Sequence, residues 1–381
     1  MSEKVIINRE WYGSEVPAHL TTPLPTPAEL IHLCNDASPC GYTSSLAYPP
    51  EAKSPTYWIK YGNSVVWNEL ASLKMAHDGL RSLGSPVKAP DVYYGCRVAI
   101  SYADDPAGVP AYRTYLVMEY VRGKTAAQLL QDAADDEVAK DGIYQQIAFA
   151  LSELHRIPVP DGSRPAAVNG GKIRHEIFDD NEAPLHYRNV TELEHHLNVF
   201  LSMNKAKCRV EHLAQEPMVF CYSDVWLGNF IIDEEGSITV VDCEDASILP
   251  SSFTRFILAG TRNKIERDIR DMVAVPSTEG IDNTSALCAV ARPMVMGWGS
   301  FAKAGRKLLG SYERDEPDRV DKIVLDAKGQ PLMFALKPAG PPPYTAFTWP
   351  LPPPPPLLPY LPPASMEPRS SLRPENDQEH K

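Results

Sequence analysis

The sequence predicts an α+β protein of two lobes, a small sheet-rich one followed by a larger helical one, with a proline-rich tail. Three features lead there. First, "TYWIKYG" (56–62) and "AYRTYLVMEYV" (111–121) are rich in aromatic and β-branched residues, as strands are, while "SVVWNELASLKMAHDGLRSLG" (64–84) between them has helical periodicity. Second, helical patterns dominate from about residue 124 onward. Third, sixteen of the thirty-seven prolines fall between Pro331 and Pro374, a stretch that lacks amide donors and favours polyproline II.

The elements divide the chain into an N-terminal segment (1–24), an N-lobe (25–119), a C-lobe (120–311) and a tail (312–381). In the C-lobe, "DEVAKDGIYQQIAFALSELHRIPVP" sets Val138, Ile143, Ile147, Leu151 and Leu154 on one helix face and stops at Pro158. "VTELEHHLNVFLSMNKA" predicts a second helix. The tail reads as a disordered extension, or as a ligand for SH3- or WW-type domains. No apolar run approaches the eighteen or so residues of a membrane span, and "MSEKVIINREWYGSEV" carries charges where a signal peptide needs an apolar stretch. A cytoplasmic location is therefore expected. The seven cysteines are odd in number, scattered and without a CxxC pair, so neither a disulfide framework nor a zinc site is indicated. A net charge of −12 disfavours nucleic acid or an anionic membrane as partner and leaves a small molecule or a protein.

The most ordered-looking segment is "FCYSDVWLGNFIIDEEGSITVVDCEDASILP" (220–250). With "DEEG" (233–236) as a four-residue hairpin loop, residue 232 pairs with 237 and 229 with 240. Asn229 and Asp242 then emerge at the open end, and Asp224, five residues before Asn229, folds over it. Two carboxylates and a carboxamide suit a hard cation such as Mg2+, which a protein holds through one or two carboxylates plus substrate phosphates. A remaining carboxylate can orient an attacking hydroxyl, which is what phosphoryl transfer requires.

"YSDVWLGN" followed by "VVDCED" resembles the H-x-D-x-x-x-x-N motif and later aspartate of protein-kinase-like enzymes. The thirteen-residue step from Asn229 to Asp242 is similar to that of the aminoglycoside phosphotransferase and choline-kinase-like family. "YWIKYG" resembles the strand whose lysine holds nucleotide phosphates, here Lys60, with Glu69 as its helix partner. "LVMEYVRGK" resembles a kinase hinge, so that the carbonyl of Glu119 and the amide of Val121 would meet adenine. The resemblance, over about residues 28–300, implies a bilobal protein-kinase-like fold. It also implies ATP or another nucleoside triphosphate, Mg2+ held by Asn229 and Asp242, Asp224 as the positioned base, and a small-molecule hydroxyl acceptor. Two departures stand out: Tyr222 replaces the usual histidine, and "CNDASPCGYTSS" (34–45) lies where a glycine-rich loop belongs without being G-x-G-x-x-G. The rival reading is a catalytically weak pseudokinase or binding module that uses the tail. His155 is expected at a helix C-terminus where partial charge is favourable, His195 and His196 on a solvated face, and Glu244 and Asp245 either as a lure for a cationic acceptor or as a solvated loop.

Overall fold

The computed structural model describes residues 7–37, 43–100, 111–303, 323–325 and 331–333. Alternation organises the first sheet. In β3 (Tyr57–Gly62) and β5 (Ala111–Glu119), Tyr57, Ile59, Tyr61, Tyr115 and Val117 face a core with Leu30 and Cys34 of α1 (Pro27–Ala37). The intervening Leu116 and Met118 pack on the opposite face, with Leu70 and Leu73 of α2 (Asn68–Ser82). β1 (Ile7–Tyr12), β2 (Ser44–Tyr48) and β4 (Val92–Ile100) complete a central antiparallel order β1-β4-β5-β3-β2. β1 thus belongs to the sheet although it falls in the segment assigned outside the N-lobe. Two more strands, 323–325 and 331–333, extend the sheet beyond β1 from within the stretch assigned to the tail, where "IVL" is β-branched enough to pair and Pro331 begins its strand. The rest of that stretch, with its disordered-tail and SH3/WW readings, lies outside the described residues.

After the connector 120–123 come β6 (Lys124–Thr125), α3 (Ala126–Asp132) and α4 (Glu137–Leu154). Thr125 and Gln128 form a capping box, and Asp136 caps α4 by accepting the amides of Val138 and Ala139. Ile147, Leu151 and Leu154 are buried as the periodicity predicts, but Val138 is 83% exposed. It stands nine residues before Ile147, two and a half turns away, and so faces the other side.

β7 (Ala166–Ala167), α5 (Val190–Met203), β8 (Met218–Tyr222), β9 (Phe230–Ile232), β10 (Ile238–Val240), β11 (Ala246–Pro250), α6 (Ser251–Ile265) and α7 (Thr284–Lys303) follow. The β9–β10 hairpin is one residue out of the predicted register: Ile232 pairs with Ile238, not with 237. Asp233 is the cause. Its carboxylate accepts the amides of Glu235 and Ser237, and its own amide donates to Ser237 O, which leaves a three-residue loop ending on Gly236 at φ +83°.

A central core runs through both lobes, joining Leu70, Leu73 and Leu80 of α2 to Leu151, Leu154, Phe220, Phe230 and Ile257. Gly79 lets α2 approach Ile157 so closely that a Cβ there would sit 2.5 Å from the isoleucine side chain. A separate core binds α5, α6 and α7. Among the described residues no helix is long and apolar enough to cross a membrane.

Three histidines are buried neutral. His155 does lie at a helix end, but it is buried with Nδ1 against Ala274 O at 3.1 Å, and burial pulls it down to about 4 rather than favouring charge. His196 packs inward against Tyr187, its Nδ1 2.7 Å from the phenol, also lowered to about 4 by burial, while adjacent His195 stays exposed. Burial lowers His175 to about 3. Because the unfolded chain binds these protons near pH 6.5 and the folded one does not, stability should fall as pH drops from about 6.5 towards 4. Melting temperature against pH checks this: His155→Gln should flatten the slope by about 1 kcal/mol per pH unit, and an unchanged slope would remove His155 from the account.

Candidate active site

A cavity of about 590 Å³ lies between the lobes, lined among others by Lys60, Glu69, Glu119, Val121, Asn229 and Asp242. Strand alternation aims Lys60 into it, opposite the face that Ile59 and Tyr61 bury. Its ammonium lies 2.9 Å from Glu69 at the start of α2, 2.9 Å from Asp242 and 3.3 Å from Glu244. Desolvation would lower the Lys60 pKa, but the three carboxylates outweigh it and hold the group protonated. Burial pushes the Glu69 carboxyl up, to about 8, against the pull of that ammonium. The 2.9 Å contact and the elevated lysine favour the ion pair over a neutral acid.

Asp242 reaches Lys60 by an unusual backbone turn, with φ +57°, a left-handed conformation that aspartate tolerates better than most residues. Despite the register shift, Asn229 and Asp242 still meet at the hairpin's end, because Val241 N donates to Asn229 O at 2.9 Å. Asn229 is buried and donates Nδ2 to both the carboxylate (2.8 Å) and the carbonyl (3.1 Å) of Asp224. That leaves Oδ1 as its oxygen donor. Burial lifts the Asp224 carboxyl above its ordinary range; the Asn229 bond opposes this and the Asp242 charge adds to it. The oxygen atoms of Asn229 and Asp242 therefore fit a hard cation chemically.

Tyr222, in the usual histidine position, is buried and donates its hydroxyl to Val241 O at 3.1 Å. It braces the Asn229–Asp242 segment as a neutral phenol, since burial drives its pKa far up. Cys243 is fully buried, a small core residue. Trp226 is 57% exposed beside Asp224, with its amide donating to Asp224 O. Glu119 at the end of β5 and Tyr120 and Val121 in the connector line the cavity, and the Tyr120 amide donates to Thr56 O at 3.1 Å. Residues 38–42 of the glycine-loop candidate lie outside the described residues; Thr43, Ser44 and Ser45 line the cavity.

Glu244 and Asp245 match neither expectation. Glu244 is tied to Lys60, and Asp245 is buried, 2.7 Å from Arg174 and 2.7 Å from the amide of Asn181. Sequence reasoning also missed Asn68. This buried side chain donates to Glu244 O (2.9 Å) and Ala246 O (2.8 Å) and accepts from Asn169 N (3.0 Å), clamping the start of α2 to the chain that follows Asp242. Its only sequence signal is its place just before Glu69.

Asn68→Ala would strand three main-chain groups, so urea unfolding should show a loss of at least about 2 kcal/mol. Gly123→Ala should also destabilise, by about 1 kcal/mol or more, since Gly123 has φ +135° and a Cβ there would lie 2.4 Å from Ile232 O. A melting temperature equal to wild type in either variant would contradict the local geometry.

Residues 71–252 match the model of the phosphotransferase enzyme family, a span that holds Asp224, Asn229 and Asp242 and leaves Lys60 and Glu69 just outside. No curated protein matches the sequence. Among solved structures, a streptomycin–ATP ternary complex of the aminoglycoside phosphotransferase APH(2″)-IIa is 16% identical, with 61% of this chain and 76% of that one covered, at a TM-score of 0.30. The aminoglycoside phosphotransferase APH(4)-Ia is 13% identical over 74% and 95%, at 0.38. An ethanolamine kinase of Plasmodium vivax is 14% identical over 79% and 89%, at 0.32. At such TM-scores these likenesses add nothing to the assignment, which rests on the family match and on the architecture itself. Over residues 71–252, then, the chain has the sequence pattern of the phosphotransferase enzyme family, set in a two-lobed architecture with a sheet-bearing N-lobe and a largely helical C-lobe.

Proposed function

We propose that the protein is an ATP-dependent phosphotransferase that moves the γ-phosphoryl group to a hydroxyl of a small molecule. The observation that carries this reading is convergence: Lys60 paired with Glu69, a connector backbone, the Asn229 carboxamide and the Asp242 carboxylate line one cavity between the lobes, and Asn229 holds the Asp224 carboxylate at 2.8 Å. Phosphoryl transfer asks little covalent chemistry of a protein and depends on positioning and charge neutralisation, which these groups can supply.

The carbonyl of Glu119 at the end of β5 and the connector amide of Val121 would seat the base. Lys60, aligned by Glu69, would pair with phosphate oxygens, and Asn229 Oδ1 with the Asp242 carboxylate would hold Mg2+. When bound, that ion would neutralise charge on the triphosphate. Asp224, oriented by Asn229, would accept a hydrogen bond from the acceptor hydroxyl and take its proton as the bond from that oxygen to the γ-phosphorus forms and the bond from the γ-phosphorus to the departing ADP oxygen breaks. The elevated Asp224 carboxyl is the better base for it. The acceptor would bind between the segment around 160–215 and the region after 250.

The direct test is ADP release from ATP and Mg2+ with a panel of aminoglycosides, choline, ethanolamine and amino sugars. Asp224→Asn should lose about 10²- to 10⁴-fold in turnover while keeping the rise in melting temperature that ATP and Mg2+ produce. Asp242→Ala should lose that Mg2+-dependent rise. If wild type neither turns over nor gains melting temperature with ATP and Mg2+, the nucleotide reading falls and a binding module takes its place. Where turnover exists, kcat/KM should decline on acidification as Asp224 takes up its proton, with a midpoint above the ordinary value of about 3.9 because the folded pKa is raised. A midpoint at or below that value would deny Asp224 the role of base.

A further inference from the structure

Lys264 brings an ammonium to the chain immediately before Asp224. It stands in the last turn of α6, which is fixed from two sides: the Ile265 side chain is fully buried, and the Ile265 carbonyl accepts the Tyr144 hydroxyl at 2.9 Å. From there Lys264 contacts the Glu176 carboxylate and donates to Ser223 O at 3.4 Å. Ser223 is itself buried, its hydroxyl donating to Asp245 O at 2.6 Å. Glu176 and Lys264 come from the two segments between which the acceptor would bind.

The surroundings are acidic. Burial pushes the Glu176 carboxyl up, Lys264 opposes this, and the charges of Asp224 and Asp245 add to the rise. At Asp224 burial again raises the carboxyl and the Lys264 charge again acts against it. Other cations nearby are committed: Lys60 to Glu69, Asp242 and Glu244, and Arg174 to Asp245 and Glu182. An ammonium has three N–H donors. Two of those on Lys264 go to Glu176 and Ser223 O, no further partner stands among the described residues, and the side chain is 29% accessible. A fixed cation beside the base thus keeps one donor and an approach from solvent.

We infer that Lys264 is a further catalytic residue, whose third N–H donates to an oxygen of the γ-phosphoryl group as that group passes from ATP to the acceptor. The inference rests on the phosphotransfer reading. As the acceptor oxygen bonds to the γ-phosphorus, the bond from that phosphorus to the bridging oxygen breaks and its electron pair leaves on ADP. The acceptor proton goes to Asp224, and Lys264 keeps all of its own. The group in transfer is anionic and moves among carboxylates. A preorganised ammonium offsets that repulsion more in the transition state than before it, when the group still belongs to the triphosphate beside Lys60. Glu176 is the positioning residue that fixes the ammonium.

Fluoroaluminate with ADP and Mg2+ mimics the planar group in transfer and is the probe, applied to the full chain alone and with each member of the acceptor panel. In wild type it should raise the melting temperature beyond the rise that ADP and Mg2+ give. Lys264→Met and Lys264→Gln, the second of which can still donate to Glu176, should keep the ADP rise and bind the fluoroaluminate complex at least about tenfold more weakly. Lys264→Arg, which keeps a cationic donor, should retain the increment. Increments are compared within each variant, so a general loss of stability leaves them readable. An ADP rise in wild type with no fluoroaluminate increment under any of these conditions overturns the assignment, and so does an increment that both neutral variants keep in full; either result leaves the nucleotide reading standing. Wild type with no rise from ADP and Mg2+ takes down that reading and this inference together.

Discussion

A single ammonium among three carboxylates ties the structure together. Lys60 comes from β3, Glu69 from α2, and Asp242 and Glu244 from the segment between β10 and β11. Two of these acids are uncomfortable where they stand, since desolvation elevates both Glu69 and Glu244. Removing the cation would leave like charges within a few ångströms of one another in a poorly solvated place, which is far worse than never having buried them. The neighbouring devices follow from this requirement. The left-handed turn at Asp242, the Tyr222 hydroxyl on Val241 O and the Asn68 clamp all fix the acidic segment where the lysine can reach it.

Much of the plan was legible because it is local. The aromatic and β-branched content of "YWIKYG" and the spacing of Asp224, Asn229 and Asp242 are each read within one short stretch, while Lys60 and Glu69 are picked out by the family resemblance of the stretches that hold them. The hairpin register was missed by one because loop length alone does not set it; the Asp233 side chain competes for the turn amides and shortens the loop. Val138 misled because an apolar residue at the first turn of a helix joins the stripe only if the angle agrees.

What stayed hidden is what distant segments do to each other. His155 looks like a helix-end cation until Ala274, more than a hundred residues on, closes over it. Asp245 looks like a loop acid until Arg174 and Asn181 reach it. Asn68 shows no function without Asn169 and the chain beyond Asp242, and Lys264 gains its place only once Glu176 and Ser223 meet it. Side chains whose partners are non-local carry no periodicity, so composition and spacing are silent about them.

The central core has a consequence for how the two lobes relate. Besides the connector, the lobes share a continuous apolar interior from α2 to α4 and β8. They are also laced by main-chain bonds between Lys88 and the β10 strand, with Lys88 N donating to Ile238 O and Val240 N to Lys88 O. Half of that interior has no meaning without the other half. Neither lobe is a separable module that a gene could lend to another protein, and a chain severed within 120–123 would have to reassemble by association to become native at all.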